Sequence, residues 1–180
     1  MADVKQTIQD FYTQAQAKDF ARNNLFRVLN IDFGGSGVNI GEGDLVYATT
    51  ATLPGKTITD VSIPYMGLEF HVPGTVKYEN SAGYSLTFRA DESYNLYEKF
   101  QQVMNDTFND ENSTGNYFTP GTDSVIDLVQ LDKELNRISQ YQLVGCSIRS
   151  IGELAYDMTA DSAVQTFTVT IAYHYYRKTA

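Results

Sequence analysis

The sequence predicts a mainly β protein that also carries two helices. Two stretches, residues 84–90 and 166–175, alternate apolar and polar side chains with the period of two that is typical of half-buried strands. Glycine and proline pairs recur between apolar runs, as they do at turns between strands. The chain contains 13 tyrosines, 10 phenylalanines and no tryptophan. Aromatic side chains favour strands, so we interpret them first as core residues and second as interface residues.

The N-terminal segment, residues 3–17, predicts a short helix. Asp3 stands at the position of an N-cap. An apolar stripe at helical spacing covers one side of the helix: Val4, Ile8, Phe11 and Ala15. The stripe is narrow, so we expect this helix to dock either on the protein's own core or on a neighbouring molecule.

The following part of the chain predicts short strands separated by turns. Period-two runs occupy residues 25–31, 45–53, 61–64, 68–78 and 84–90. A glycine-rich turn, residues 34–43, separates the first two runs, which we expect to pair as a hairpin. Pro73-Gly74 interrupts the fourth run.

The centre of the chain predicts a second helix and then a long loop. Apolar residues at helical spacing over 91–108 are Leu96, Phe100, Val103, Met104 and Phe108. Asp91 and Glu92 at its start suit the positive end of a helix dipole. Residues 109–124 are polar and predict a long loop, which at this length is expected to act outside the core. Residues 125–140 fit either a strand or a helix.

The C-terminal part returns to the period of two. We expect short strands at 141–149 and 153–158, on either side of Gly152, and one long alternating strand at 166–175. The length of 180 residues favours one domain over 1–180, with an N-terminal helix or arm at 1–20.

Charge and cysteine content exclude several classes of protein. Thirteen basic against 22 acidic residues give a net charge of −9, which disfavours gripping a phosphate backbone or an anionic membrane. Cys146 is the only cysteine, so no intramolecular disulfide forms. No apolar run approaches the ~20 residues of a membrane helix, and the N-terminus has no secretory signal pattern. We therefore predict no membrane anchoring.

The sequence contains partial motifs for nucleotide, calcium and zinc binding, but none of them has the residues and spacing that such a site requires. The glycines at 34–43 lack the G-x-G-x-x-G interval and the Lys-Ser/Thr of a P-loop, and a strand is expected after them. The Asp110 segment resembles the start of a calcium loop, but its twelfth position is Gly121. His71 and His174 are far apart in the sequence and do not suggest a zinc site. We predict no catalytic residue, no metal and no cofactor.

Three stretches in order resemble the tail tube proteins of contractile-tailed bacteriophages. They are Asp19–Val28 (DFARNNLFRV), Ala51–Gly55 (ATLPG) followed by Ile63-Pro64, and Ile151–Asp157 (IGELAYD) followed by Val164–Tyr173 (VQTFTVTIAY). The resemblance spans nearly the whole chain. It implies a mainly β subunit with two antiparallel sheets packed as a sandwich or partial barrel, flanked by an α-helix and preceded by a short N-terminal helix.

The resemblance also implies an assembly. Six subunits form a ring, rings stack into a tube inside a contractile sheath, and the inner strands form one barrel around a lumen through which DNA passes. The implied partners are further copies of the chain, the sheath protein, the baseplate or tube initiator, the tail terminator and, transiently, the tape measure protein and DNA. The implied location is the virion tail, assembled in the host cytoplasm.

Candidate contact residues follow from the matching stretches and from the helix. Predicted inter-subunit contacts are Phe11, Asp19, Phe20, Arg22, Leu25, Phe26, Gly152 and Glu153. The face of Thr166, Thr168 and Thr170 is predicted to line the lumen, to be solvated, or to pack on a neighbour. The net charge suggests an acidic lumen wall that does not bind DNA. The N-terminal helix and the 109–124 loop are candidate contacts between rings, and the helix alternatively caps its own sandwich.

Other functions are compatible with the same residues. A tube protein or tube initiator of a related contractile injection or secretion system shares the architecture. A monomeric β-barrel that binds a small ligand in a closed apolar pocket is the alternative from a different class. Concentration-dependent assembly separates the tube from the barrel.

Overall fold

The computed structural model describes residues 7–117, 119–159 and 162–180, which form three α-helices and thirteen strands. The helices are α1 (Ile8–Lys18), α2 (Glu42–Leu45) and α3 (Asn95–Thr107), and Gly34–Ser36 form a 3-10 turn. The strands are β1 (Phe26–Phe33), β2 (Asn39–Ile40), β3 (Ala48–Thr50), β4 (Lys56–Tyr65), β5 (Leu68–Tyr78), β6 (Tyr84–Arg89), β7 (Phe108–Asn109), β8 (Thr114–Gly115), β9 (Ser124–Leu131), β10 (Arg137–Val144), β11 (Ser147–Ile151), β12 (Thr166–Ala172) and β13 (Tyr175–Lys178).

Two antiparallel sheets enclose the core. One has the strand order β13-β10-β9-β1-β2 and the other the order β11-β12-β6-β3. Buried side chains from both sheets and from α3 form one continuous cluster between them. The predicted fold class, two antiparallel sheets packed as a sandwich or partial barrel with a flanking helix, is confirmed. Two further pairs, β4-β5 and β7-β8, lie outside these sheets.

Four phenylalanines form the centre of the core. Phe33 comes from β1, Phe88 from β6, Phe167 from β12 and Phe100 from α3, and each is at most 2% exposed. The Phe100 ring lies 5.4 Å from Phe88, 6.1 Å from Phe167 and 6.5 Å from Phe33, measured between centroids. Offset and edge-to-face pairs at these distances add to the free energy gained by burial. Phe100 therefore joins the two sheets to the helix.

α3 is shorter than the predicted helix over 91–108. The Asp91 carboxylate accepts hydrogen bonds from the Ser93 hydroxyl (2.5 Å) and the Asn95 N–H (3.4 Å), and the helix begins after Tyr94. The Ser93 hydrogen bond lowers the pKa of Asp91. Near the middle of the helix, Lys99 Nζ lies 2.5 Å from Asp44 Oδ2. This partly buried ion pair fastens α3 to α2.

The chain crosses between the two sheets twice at one corner. β10 leads into β11 through Gly145, and β12 leads into β13 through Tyr173 and His174. Gly145 has φ +73°, and a Cβ atom there would lie 2.3 Å from Nδ1 of His174. The Gly145 and Cys146 N–H groups both donate to the Ser124 carbonyl, at 2.9 and 3.1 Å. Only glycine fits this backbone conformation without strain.

Gly145→Ala is expected to lower the free energy of unfolding by about 2–4 kcal/mol, because the left-handed conformation costs roughly 1–2 kcal/mol and the His174 ring must also move. Gly67→Ala is the matched control: φ there is +81°, but nothing lies within 4 Å of an added Cβ. In that control, the free energy of unfolding should fall only by the roughly 1–2 kcal/mol that the left-handed conformation costs. Urea unfolding of both variants measures the difference, and equal losses would contradict the packing argument.

Burial of Cys146 predicts a loss of stability at alkaline pH. The thiol is fully buried, and burial raises its pKa from 9.0 to about 12. Between those values the unfolded chain loses the proton that the folded chain keeps, so stability falls as pH rises from 9 towards 12. From pH 8 to 11 this one group is expected to contribute about 2–3 kcal/mol. In Cys146→Ala, the free energy of unfolding measured with urea should therefore fall by about 2–3 kcal/mol less between pH 8 and pH 11 than in the wild type. The same fall in both proteins would contradict this prediction.

Several predicted elements near the N-terminus are wrong in detail. Asp3 lies outside the described residues, and Thr7 caps α1. β1 pairs with β2 and not with the predicted strand at 45–53. The part of that strand which forms, β3, pairs with β6 in the other sheet. The glycine-rich segment contains β2 and the start of α2, so a helix turn stands where a strand was expected, and Leu45 of α2 is buried.

The predictions for the C-terminal half are also corrected at several points. The 109–124 loop contains β8 and the end of β7, and the ambiguous residues 125–140 contain most of β9 and the start of β10, with a turn between them. No strand forms among the residues of 153–158. The alternating run at 166–175 is two strands, because it bends at Tyr173 and His174 and changes sheets.

Candidate assembly surfaces

The long hairpin formed by β4 and β5 projects from the fold. At about 3.3 Å per residue, its strands extend roughly 33 Å. Residues 56–77 are exposed on both faces except Thr59, which is half-buried. The tip is Met66-Gly67, whose φ angles of 48° and 81° fit a tight two-residue hairpin turn. The sequence pattern predicts a short strand at 61–64 and a run at 68–78 that is interrupted at Pro73-Gly74, and not one continuous hairpin.

One face of the hairpin is apolar along its outer half. Three directly opposite pairs lie on it: Val61 with Val72, Ile63 with Phe70, and Tyr65 with Leu68. Ile63 is 49% and Phe70 50% exposed. We call these six residues the hairpin apolar face. A contiguous exposed apolar surface of this kind marks an interaction site.

The opposite face of the hairpin is polar. His71 Nδ1 lies 2.6 Å from Asp60 Oδ2, and the Ser62 hydroxyl donates to Glu69. Near the base, the Thr59 hydroxyl accepts from the Thr75 N–H at 2.9 Å, at a β-bulge in the ladder. The hairpin is therefore amphipathic, and its apolar side is available to another surface.

α1 forms a second exposed apolar surface. Thr7 and Asp10 make a reciprocal capping box, and the backbone N–H of Thr7 lowers the pKa of Asp10. None of the residues of α1 is buried. Phe11 is 53% and Phe20 64% exposed, and their rings lie 6.1 Å apart. The helix thus does not cap the core, which was one of its two predicted roles.

Five of the predicted contact residues lie around two grooves beside β9. Asp19, Phe20, Arg22 and Leu25 line an open groove of about 400 Å³ together with Lys133. Arg22, Leu25 and Phe26 also line a groove of about 240 Å³ together with Ala51, Thr52 and Leu53. The first two of the stretches that resemble tail tube proteins therefore meet at one surface.

Gly152 and Glu153 lie elsewhere. The Gly152 N–H donates to the Thr168 carbonyl at 2.7 Å, and an added Cβ would lie 3.0 Å from that oxygen. Gly152 is thus explained by close packing against β12. Glu153 is exposed and lines an open groove of about 670 Å³ together with Asp91, Glu92 and Asp157.

The predicted lumen residues share one face of β12, which is a central strand of the four-stranded sheet. Opposite them on β6 are Arg89, Thr87 and Ser85, in that order. The Thr87 and Thr168 hydroxyls lie 3.2 Å apart. This face consists of hydroxyl groups with an arginine at one end. The expectation of an acidic wall therefore does not hold for this part of the surface.

The remaining chemical candidates do not form a site within the described residues. His71 lies on the hairpin, and His174 lies at the corner beside Gly145. The segment at Asp110 is part of the β7-β8 turn, where the Asn109 side chain accepts from the Glu111 N–H. Residues 7–117, 119–159 and 162–180 contain no group of three or more potential metal ligands. In the same part of the chain, no helix has the length and apolar character needed to cross a bilayer.

Comparison with known proteins matches the chain to a protein family and to a relative of similar length. The family described as phage tail tube protein matches residues 19–179. The tail tube protein gp19 of Enterobacteria phage T4 is 22% identical over 174 residues, which covers 94% of this chain and 98% of the relative.

Solved structures agree on the fold. A chain in the baseplate of the anti-feeding prophage superposes with a TM-score of 0.60 at 12% identity, covering 89% of this chain and 95% of that one. A chain in the sheath–tube complex of the extracellular contractile injection system PVC gives a TM-score of 0.54 at 12% identity. It covers 98% of this chain and 99% of the other.

Proposed function

The chain belongs to the phage tail tube protein family and is a structural protein of the tail, and we propose that it assembles as six-subunit rings that stack into the inner tube. A ring requires a head-to-tail contact that closes, and stacking requires a second contact that does not close. The hairpin apolar face is the observation that carries this proposal. It is a large apolar surface that stays exposed in the described part of the chain, and a second copy of the chain would bury it.

The unpaired edges of the four-stranded sheet support the ring contact. β3 and β11 are its outermost strands, and each pairs with only one described strand. Exposed edges of this kind pair readily with another strand. In the proposed ring, β3 of one subunit lies beside β11 of the next, and six copies of the sheet close a barrel. The Thr166, Thr168 and Thr170 face then lines the lumen.

The other exposed surfaces are proposed to contact neighbouring copies as well. Phe11 and Phe20 form an aromatic pair, and each of the two side chains is more than half exposed. The grooves beside β9 place Asp19, Arg22, Leu25 and Phe26 at one surface. Gly152 is proposed to contribute indirectly, by allowing its backbone to pack closely against β12. Glu153 is proposed to offer its carboxylate to a basic group on a neighbouring copy.

The proposed role is structural and not enzymatic. The sheath, baseplate or initiator, terminator, tape measure protein and DNA are its proposed partners, and assembly takes place in the host cytoplasm. The likeness to chains in an injection-system baseplate and sheath–tube complex supports the first two partners. The threonine-lined face supports the passage of DNA, because neutral hydroxyls offer no cluster of positive charge to hold phosphate. The whole of 1–180 is proposed to act as one domain.

Negative-stain electron microscopy of the purified protein at high concentration tests the proposal. Rings or hollow filaments are expected. If the protein alone stays monomeric, its cognate baseplate is added as a nucleus, and filaments are expected to grow from it. Monomers that persist in the presence of the baseplate would overturn the proposed function.

A further inference from the structure

Two buried tyrosines hold the two ends of the long hairpin. The Tyr84 hydroxyl donates to the Thr52 carbonyl at 2.8 Å, four residues before β4. The Tyr173 hydroxyl donates to the Glu79 carbonyl at 2.7 Å, one residue after β5. Each foot of the hairpin therefore receives one hydrogen bond from the core. We call Tyr84 and Tyr173 the tyrosine clamp.

The clamp is fixed in the core. Tyr84 is 1% and Tyr173 3% exposed, and their rings meet edge to face with centroids 5.9 Å apart. Tyr84 begins β6 and lies opposite Ile171 of β12, while the Tyr173 N–H donates to the Ser81 carbonyl at 2.8 Å. Burial raises the pKa of Tyr173 to about 12, so its hydroxyl keeps its proton further into the alkaline range than an exposed tyrosine does.

The base of the hairpin has few other anchors. The Glu79 N–H donates to the Gly55 carbonyl at 3.1 Å and closes the base. The Tyr78 ring packs on Tyr173 at 6.4 Å and on Tyr176 at 5.4 Å between centroids. Beyond this point the strands are exposed. Because the hairpin is roughly 33 Å long, a small rotation at its base displaces its tip by a much larger distance. The base therefore determines where the hairpin apolar face lies.

We propose that Tyr84 and Tyr173 are positioning residues that hold the hairpin in the orientation required for docking on a neighbouring subunit. The docking part of this inference rests on the proposed function. The clamp itself is a property of the isolated subunit and is measurable without assembly. A purely structural role for the two hydroxyls predicts a loss of global stability and no separate effect on the hairpin.

The test compares Tyr84→Phe and Tyr173→Phe with Tyr94→Phe. Tyr94 also donates its hydroxyl, to Gln165 Oε1 at 2.9 Å, but lies away from the hairpin. Loss of one such bond is expected to speed hydrogen exchange at the hairpin feet, including the Glu79 N–H, by about tenfold in the monomer. Both clamp variants are also expected to raise the protein concentration required for tube growth from the baseplate by about tenfold or more. Tyr94→Phe should change neither quantity.

The outcomes separate the clamp from the proposed function. Equal hairpin exchange in the clamp variants and Tyr94→Phe, at equal urea midpoints, would overturn the inference. Faster hairpin exchange with unchanged tube growth would overturn its docking part. If the wild-type protein does not form tubes on a baseplate, the proposed function fails, and the exchange rates still decide whether the clamp exists.

Discussion

Ile63→Lys is expected to abolish tube assembly and to leave the monomer folded. Ile63 lies in the middle of the hairpin apolar face, opposite Phe70 and half exposed in the subunit. A lysine there is solvated in the monomer but loses its water when a neighbour covers the face. Burying an unpaired charge costs several kcal/mol. We expect the concentration required for assembly to rise on the order of 100-fold or more, equivalent to about 2.8 kcal/mol per contact.

Ser62→Lys is the matched control for this variant. Ser62 is the adjacent residue, points to the polar face and donates to Glu69, so a lysine there meets a carboxylate. The same charge is added one residue away, on the other side of the same strand. Sedimentation and electron microscopy are compared for both variants, with circular dichroism as the check on folding. Normal tubes from Ile63→Lys would contradict the role of the hairpin apolar face.

Phe100→Ala is expected to destabilise the subunit by about 3–5 kcal/mol, which is the usual cost of removing a buried phenylalanine. Phe100 is fully buried and contacts aromatic rings from both sheets. The cavity left behind lies between β1, β6 and β12, whose backbones are held by their ladders and cannot collapse into it. This is a stability effect, and it differs from the assembly effect expected at Ile63.

Met104→Ala tests the same helix one turn later. Met104 is 37% exposed, so its truncation is expected to cost about 1 kcal/mol or less. Urea unfolding at a concentration where the chain is monomeric gives both values without the contribution of assembly. Comparable losses at the two positions would show that α3 does not contribute its Phe100 face to a shared core.

The sequence predicted the core elements well because local pattern and burial agree there. In β6, the buried residues Tyr84, Leu86 and Phe88 alternate with residues that are exposed or half-buried, as the sequence pattern predicts. Of the predicted helical stripe, Leu96, Phe100 and Val103 are buried in α3, whereas Met104 and Phe108 are partly exposed and Phe108 lies beyond the end of the helix. At these positions each side chain faces either the core or solvent, so the period of the sequence is also the period of the structure.

The long hairpin escaped prediction because prolines and a glycine interrupt its pattern. Pro64 lies opposite Glu69, and Pro73 lies opposite Asp60 beside the bulge. Proline removes a ladder hydrogen bond and is excluded from central strands, but it is tolerated at edges and bulges. Both strands of this hairpin are edge strands, because they form a two-stranded sheet. Its apolar face is also exposed in the part of the chain that the structure describes, so no packing against the core could be inferred for it.

The corner at Gly145 and His174 shows a second limit of local patterns. The alternation of apolar and polar residues over 166–175 continues through the bend in the sequence, but the burial does not: Phe167, Ile171 and Tyr173 are buried, whereas Tyr175 is exposed. The bend is set by contact with Gly145, which is distant in the sequence. Among the candidate contacts, Phe11, Phe20 and Glu153 are exposed as an interface requires, whereas Gly152 has a sufficient explanation within the subunit.

A cryo-electron microscopy reconstruction of the filament grown from the cognate baseplate would show which surfaces of the subunit form the contacts between copies. We expect a hollow tube of stacked six-subunit rings in which Ile63 and Phe70 are buried against another copy of the chain. The same map should place Thr166, Thr168 and Thr170 on the lumen wall. A tube in which the hairpin apolar face points into solvent, or a ring closed without β3 and β11, would contradict this expectation.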